Sequence, residues 1–329
     1  GFQPSLNLRA MRKAIDLTLA AGPDLIVITG DLAPGPRPAA GFRRQLEAAR
    51  ARGVNAVGIV VINPGNPTGA VLSAENIEMV VAFARRHRLA IIADEVYQEN
   101  VYATGRSFVS FAKVMHAIGD TGTPLFSLHS VSKGFLGECG HRGGYLELRN
   151  VPDPVLDQFI KLQSISLCAN VPGQIATYAM VAPPQEGDES HALYVRERDG
   201  ILADLKEKAR ILGEGISKVP GMSVDVPQGA MYAFVRFELP PEPGVDPGAM
   251  TEAEREAYEA ARDTAYCLAL LEETGICVVP GSGFGQLPGT LHFRTTFLPP
   301  RDEIEALVAR LGEFHVRYAA RSTPARAGA

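Results

Sequence analysis

From residue 54 onward, short apolar runs alternate with stretches in which apolar positions recur every three or four residues. VGIVVI (57–62), LAIIAD (89–94) and PLFSLHS (124–130) are continuous and largely β-branched or aliphatic, the pattern of strands buried on both faces. Between the first two, SAENIEMVVAFARRHR (73–88) has helical periodicity, and Ser73 stands where an N-cap belongs. FRRQLEAARARG (42–53) predicts a helix feeding the first of these strands, and YLEL (145–148) a further strand. A long helical tract is expected over about 155–181, and a second from about His191 after the loop APPQEGDES. Strand–helix–strand repeated in this way builds parallel βαβ units, whose ligands sit at the carboxyl ends of the strands.

The last third changes character. MSVDVP, GAMYAFVRF, GICVVPG and TLHFRTTF predict strands of a smaller α+β unit, with helices over 251–273 and 301–318. The first forty residues stand apart. NLRAMRKAIDLTLAAG and PDLIVITGDL read as helix then strand, ending in Gly30-Asp31, and LIVIT could pair beside VGIVVI. PGPRPAAG (34–41) reads as a linker and residues 319–329 as a frayed tail. The expected organisation is therefore a segment 1–33, a linker 34–41, a large unit 42–190, a small unit 191–318 led by its connecting helix, and the tail.

Composition narrows the class. The 329 residues are 46% hydrophobic and 21% charged with a net charge of −5, so no nucleic-acid partner is expected. No apolar run approaches membrane-spanning length, and no basic-then-apolar leader pattern is present, so no membrane partner is expected either. Cys139, Cys168, Cys267 and Cys277 lack paired spacing and read as reduced thiols, which sets a cytoplasmic location as the expectation.

Four strand ends carry the candidate chemistry. NPGNPTG (63–69) is a tight turn in which Asn66 can offer its amide to a crevice, or a plain turn and nothing more. Asp94 closes an apolar strand, where a carboxylate needs a cationic partner or strong hydrogen bonds and could equally sit in a structural ion pair, and Tyr97 follows three residues later, close enough to share the same cleft. Lys133 lies just past a strand beside Ser130 and Ser132. A partly desolvated lysine can act as a Schiff-base amine, although most lysines are simply exposed. Gly134, Gly137 and Gly140 then lead to Arg142, which with the serine hydroxyls could cradle an anion. Arg294 lies mid-strand in HFRTT, suited to a carboxylate or to an outer ion pair. Tyr232 could line a substrate pocket or sit in the core.

Taken together and in this order, NPGNPTG, ADEVYQENVY, HSVSKGFLGECGHRGGY, QGAMYAF, LLEETGICVVPGSGFGQ and HFRTTFLPP resemble fold-type I pyridoxal-phosphate aminotransferases, alanine aminotransferase branch, over about residues 42–318. The resemblance implies an α/β fold, a mainly parallel sheet between helices plus a smaller α+β domain. It implies pyridoxal 5'-phosphate held as a Schiff base on Lys133, which also moves the proton at the substrate Cα. Asp94 would pair with the ring nitrogen, Tyr97 and Asn66 with the ring oxygen, Ser130, Ser132 and Arg142 with the phosphate, and Arg294 with the substrate carboxylate. The implied reaction is transamination between L-alanine and 2-oxoglutarate in a homodimer, with an amino acid and a 2-oxo acid as substrates and no metal.

The resemblance also implies an earlier segment carrying a glycine-containing phosphate loop and an aromatic that stacks on the ring. Residues 1–33 match neither. They resemble instead a fragment of a calcineurin-like metallophosphoesterase, with Asp31 in the place of a metal ligand but without the histidine motifs a metal centre needs. The expectation is a junction of two pieces with impaired turnover, because two lost phosphate donors at about 1.5–3 kcal/mol each weaken binding by roughly two to four orders of magnitude. The alternative is a non-catalytic remnant that keeps the fold.

Overall fold

The computed structural model describes residues 24–28, 38–287 and 289–321. They divide into two units. The first holds the residues up to 63 together with 72–98 and 107–182, and the second holds 64–71, 99–106 and the chain from 183 onward. A single boundary near residue 190 therefore misses two short excursions, 64–71 and 99–106, which count with the second unit. Asp31 and most of the 1–33 segment lie outside the described residues.

The first unit is built on five strands in chain order: β1 (Asp24–Ile28), β2 (Ala56–Ile62), β3 (Ala90–Asp94), β4 (Leu125–Ser130) and β5 (Gly144–Arg149). β1 to β4 are parallel, and β5 runs antiparallel to β4. β1 pairs with β2, Ile26 beside Ile59, as LIVIT suggested. Helix α1 (Pro38–Ala51) starts inside the expected linker, since a proline is tolerated in the first helical turn, where its missing N–H has no partner to lose. Helix α2 (Ala74–His87) has the expected cap: Ser73 Oγ accepts the Asn76 N–H at 3.3 Å, and Asn76 Oδ1 accepts the Ser73 N–H at 3.3 Å. Helix α3 (Phe111–Ala117) is too short to show a period in sequence; Ser110 Oγ caps it through the Lys113 N–H at 3.1 Å.

Phe42 and Leu46 of α1, Ile77, Val80 and Val81 of α2, and Phe111 and Val114 of α3 form one core with Ile59, Ile91 and Leu125. Only that sheet face is sealed. β3 and β4 alternate buried and half-buried positions, so the expectation of strands buried on both faces is corrected. The expected 155–181 tract is likewise two helices, α4 (Asp153–Ser164) and α5 (Val171–Val181). Asn170 Oδ1 caps α5 by accepting the Gly173 N–H at 2.6 Å, and Pro172 can sit in a first turn but not in a helix interior. Ile160, Val171, Ile175 and Tyr178 on these helices are each more than half exposed.

The second unit carries helix α6 (His191–Ile216), strands β6 (Met222–Ser223) and β7 (Tyr232–Phe237), helix α7 (Glu252–Thr274), strands β8 (Val279–Pro280) and β9 (Leu291–Thr296), and helix α8 (Arg301–Arg321). Its antiparallel sheet has the order β6-β7-β9-β8. Tyr266, Phe237, Phe293, Phe314, Leu212 and Leu270 fill the core. α8 runs three residues into the expected tail, where Arg321 pairs with Glu273 at 2.6 Å. The 64–71 excursion is clasped to the 227–232 segment: the Gly229 N–H donates to Gly69 O at 2.8 Å, and a Cβ on Gly69 would lie 2.9 Å from Pro227 Cβ. Gly69 has φ +71, so glycine serves both the conformation and the close approach. Among the described residues no helix is long and apolar enough to cross a membrane, and all four cysteines are free.

Candidate active site

In the first unit the chemistry gathers at the carboxyl ends of β3 and β4. Asp94 pairs in register with Leu128, and side chains repeat every second residue along a strand, so Asp94, Leu128 and Ser130 share one face. It is the half-buried face, opposite the sealed core. The next residue, Glu95, turns the other way and is buried: Oε1 accepts the Phe111 N–H at 2.8 Å, and Oε2 accepts the Ser127 hydroxyl at 2.5 Å. Those two bonds tie the end of β3 to α3 and β4, fixing the backbone from which Asp94 projects. Burial pushes the Glu95 carboxyl up, against the pull of both bonds.

Asp94 Oδ1 accepts the Val96 N–H at 3.3 Å. Burial raises its carboxyl, while that bond and the charge of Lys133 draw it back down. Lys133 is half-buried, its Nζ 5.9 Å from the centre of the buried Tyr97 ring. Gly134 and Gly137 take positive φ, and the Gly137 N–H donates to Lys133 O at 3.3 Å, so the chain coils back directly after the lysine. Ser130 Oγ accepts the Ser132 N–H at 3.3 Å, which holds the two serines in one local turn.

Arg142 differs from the expected convergence. It is exposed and in the left-handed region with φ 53, and its Nη1 donates to Cys139 O at 2.9 Å. Among the described residues the structure shows it in contact with neither serine. The adjoining Gly143 is pressed on α5, where a Cβ would clash with Gly173 O.

The second unit holds Asn66, Tyr232 and Arg294. Arg294 Nη1 donates to Asn66 Oδ1 at 3.1 Å. The guanidinium carbon lies 4.5 Å from the Tyr232 ring centre and 4.9 Å from that of Phe284. Arg294 is thus held against aromatic surface, and no carboxylate is in salt-bridge contact with it among the described residues. Tyr232 is half-buried beside the guanidinium, not in the core. Two neighbours of the candidate residues were not singled out in sequence: Glu95, hidden beside the more conspicuous Asp94, and Phe284, which meets the Arg294 guanidinium.

The donor set of the first unit fits pyridoxal 5'-phosphate. Asp94 is half-buried with no cation in salt-bridge contact among the described residues, and burial raises its carboxyl. A protonated ring nitrogen is the partner that would restore its charge. Lys133 carries an amine, Tyr97 a phenol, and Ser130 and Ser132 hydroxyls, the donor types such a group would need.

The comparisons place the chain. Residues 39–311 match the family described as Aminotransferase class I and II, and the chain belongs to that family. Its members use pyridoxal 5'-phosphate. The protein is 46% identical over 279 residues to alanine aminotransferase 2, mitochondrial, of Arabidopsis thaliana, covering 84% of this chain and 50% of that one. It is 47% identical over 263 residues to alanine aminotransferase 1 of Homo sapiens, covering 79% and 51%. The chain thus spans about half the length of the curated relatives it matches. Among solved structures, an aminotransferase from Escherichia coli is similar with a TM-score of 0.64 at 27% identity, covering 83% of this chain and 61% of that one. An alanine aminotransferase from Pyrococcus furiosus shares the fold with a TM-score of 0.66 at 24% identity, covering 90% and 71%. The match begins at residue 39 and lends nothing to the metallophosphoesterase reading of residues 1–33.

Proposed function

We propose that this protein transfers the amino group of L-alanine to 2-oxoglutarate, giving pyruvate and L-glutamate, with pyridoxal 5'-phosphate as cofactor. The observation that supports the reading best is that Asp94 and Ser130 share the half-buried face at adjoining strand ends, with Lys133 three residues beyond and near enough for its charge to lower the Asp94 carboxyl, in a chain whose relatives are named alanine aminotransferases. When bound, the cofactor supplies a conjugated system that accepts the electron pair released at the substrate Cα.

The residues then have separate tasks. Lys133 would hold the cofactor covalently and move the proton at Cα. Asp94 would pair with the ring nitrogen and keep it charged. Tyr97 and Asn66 would hydrogen-bond the ring oxygen, and Ser130, Ser132 and Arg142 would bind the phosphate. Arg142 must leave its bond to Cys139 O to do so. Arg294 receives the α-carboxylate: a guanidinium between two aromatic rings keeps its planar edge for an oxyanion. A homodimer is part of the proposal, supported by the exposed apolar side chains of α4 and α5, which a second copy would cover.

The test is pyruvate formation from L-alanine by the reconstituted protein. It should require 2-oxoglutarate and be abolished by Lys133→Ala. Formation unaffected by the substitution would exclude the lysine from the chemistry. Dependence on a different 2-oxo acid would overturn the acceptor.

A further inference from the structure

Asp263, on α7, is fully buried and has no role in the scheme above. It holds a turn. Oδ2 accepts the Ser282 N–H at 2.8 Å and Gln286 Nε2 at 3.0 Å, and Oδ1 accepts the Ser282 hydroxyl at 3.1 Å. Thr264 Oγ1 also donates to Oδ1, at 3.3 Å, so the turn supplies three of these four hydrogen bonds to a buried carboxyl with no cation in salt-bridge contact among the described residues.

From that turn the contacts continue onto β9. Gln286 Oε1 lies 3.1 Å from His292 Nδ1. Burial, and then the charge of Arg236, hold the His292 pKa down to about 4, so the ring is neutral near pH 7. Oε1 can only accept, which assigns the hydrogen to Nδ1. A Cβ on Gly281 would lie 2.5 Å from Gln286 Oε1 and 2.6 Å from His292 Cβ, so the turn is seated on the strand without slack.

The same turn carries Phe284. His292 and Arg294 are two residues apart on β9 and face the same side, beside Phe234 of β7. Phe234 stacks on His292 at 4.6 Å, and Phe284 meets Phe234 edge-on at 5.9 Å. Phe284 in turn lies 4.9 Å from the Arg294 guanidinium carbon.

We infer that Asp263 is a positioning residue for Arg294: through Ser282 and Gln286 it fixes the 281–286 turn, and through that turn it sets Phe284 against the guanidinium that takes a carboxylate. The inference rests on the reading of Arg294 as the carboxylate-binding residue. Its effect falls on carboxylate recognition and leaves the chemistry at Lys133 untouched.

The test uses the full chain with pyridoxal 5'-phosphate and the substitutions Asp263→Asn and Phe284→Leu. In both, the half-saturating L-alanine concentration should rise about tenfold, the size of one charge-assisted contact, while the maximal rate and the cofactor dissociation constant stay within about twofold. Amide exchange over Ser282–Gln286 should accelerate in Asp263→Asn. Binding of propanoate, a carboxylate without the amine, is measured alongside by calorimetry and needs no turnover. An approximately tenfold weaker propanoate affinity in both variants supports the inference even if alanine is not turned over, in which case only the proposed reaction fails. Propanoate bound equally by all three proteins, or not bound by the wild type, overturns it. If Asp263→Asn does not fold, Ser282→Ala removes one donor while keeping the carboxylate, and a propanoate affinity unchanged there and in Phe284→Leu is equally decisive.

Discussion

The Arg294 guanidinium donates to Asn66 Oδ1 at 3.1 Å across 228 residues of chain. An amide acceptor on one edge leaves the rest of the donor fork for a ligand and fixes the direction in which it points. Asn66→Ala should therefore raise the half-saturating L-alanine concentration by about tenfold or more, since one hydrogen bond to a charged group, worth about 1.5–3 kcal/mol, is lost. Steady-state kinetics on the holoenzyme decide it, and an unchanged value would mean the pair has no role in holding substrate.

Asp94 gives a second prediction. Replacing it by asparagine keeps the shape and removes the charge that a ring nitrogen needs. A charge-assisted bond is worth about 1.5–3 kcal/mol, so cofactor affinity should fall roughly ten- to a hundredfold, read by equilibrium dialysis. Equal affinity would place the ring nitrogen elsewhere.

Stability of the second unit can be tested away from the site. Tyr266 Oη and His315 Nδ1 are 3.1 Å apart and buried, and the Tyr266 ring stacks on Phe237 at 4.2 Å. Tyr266→Phe keeps the stacking and strands the imidazole. The expected cost is about 1–3 kcal/mol in a urea titration. A midpoint that does not move would show the imidazole has another partner.

The pH dependence has a sign. Unfolded, an imidazole titrates near 6.5, and in the fold His292 titrates at about 4. Between those values the unfolded chain carries a proton that the folded chain lacks. Stability should therefore fall as pH drops from about 6.5 to about 4, and this contribution should level off below that. His129 and His315, also lowered by burial, add to the same slope. His292→Asn should make the melting temperature less steeply pH-dependent in that window, and an unaltered slope would count against a neutral His292.

What was legible in the sequence is what is local. Asp94 with Tyr97, and Ser130 with Ser132 and Lys133, fall within single strand ends, where residue type and spacing speak directly. The pairs that orient the site are separated in sequence: Asn66 meets Arg294 from 228 residues away, and Asp263 meets Ser282 from 19 residues away, so neither leaves a local pattern. Arg142 shows what spacing alone leaves out. Its proximity in sequence suggested convergence with the serines, whereas its guanidinium donates to Cys139 O from a residue in the left-handed region. The fold followed the same rule. The strands of the first unit were evident from their apolar runs, but which faces are covered depends on helices packed from elsewhere. The break between α4 and α5 lay hidden in a tract that stays apolar through VPGQIATYAMV, with only Asn170 and Pro172 marking it.

The most direct measurement is the visible absorbance of the purified chain with pyridoxal 5'-phosphate, before and after L-alanine, beside Lys133→Ala. If Lys133 holds the cofactor and moves its protons, the wild type shows a lysine-dependent band that L-alanine removes, and the variant shows neither band nor response. Identical spectra from the two proteins, or a wild-type band indifferent to L-alanine, would contradict the proposed chemistry at this residue.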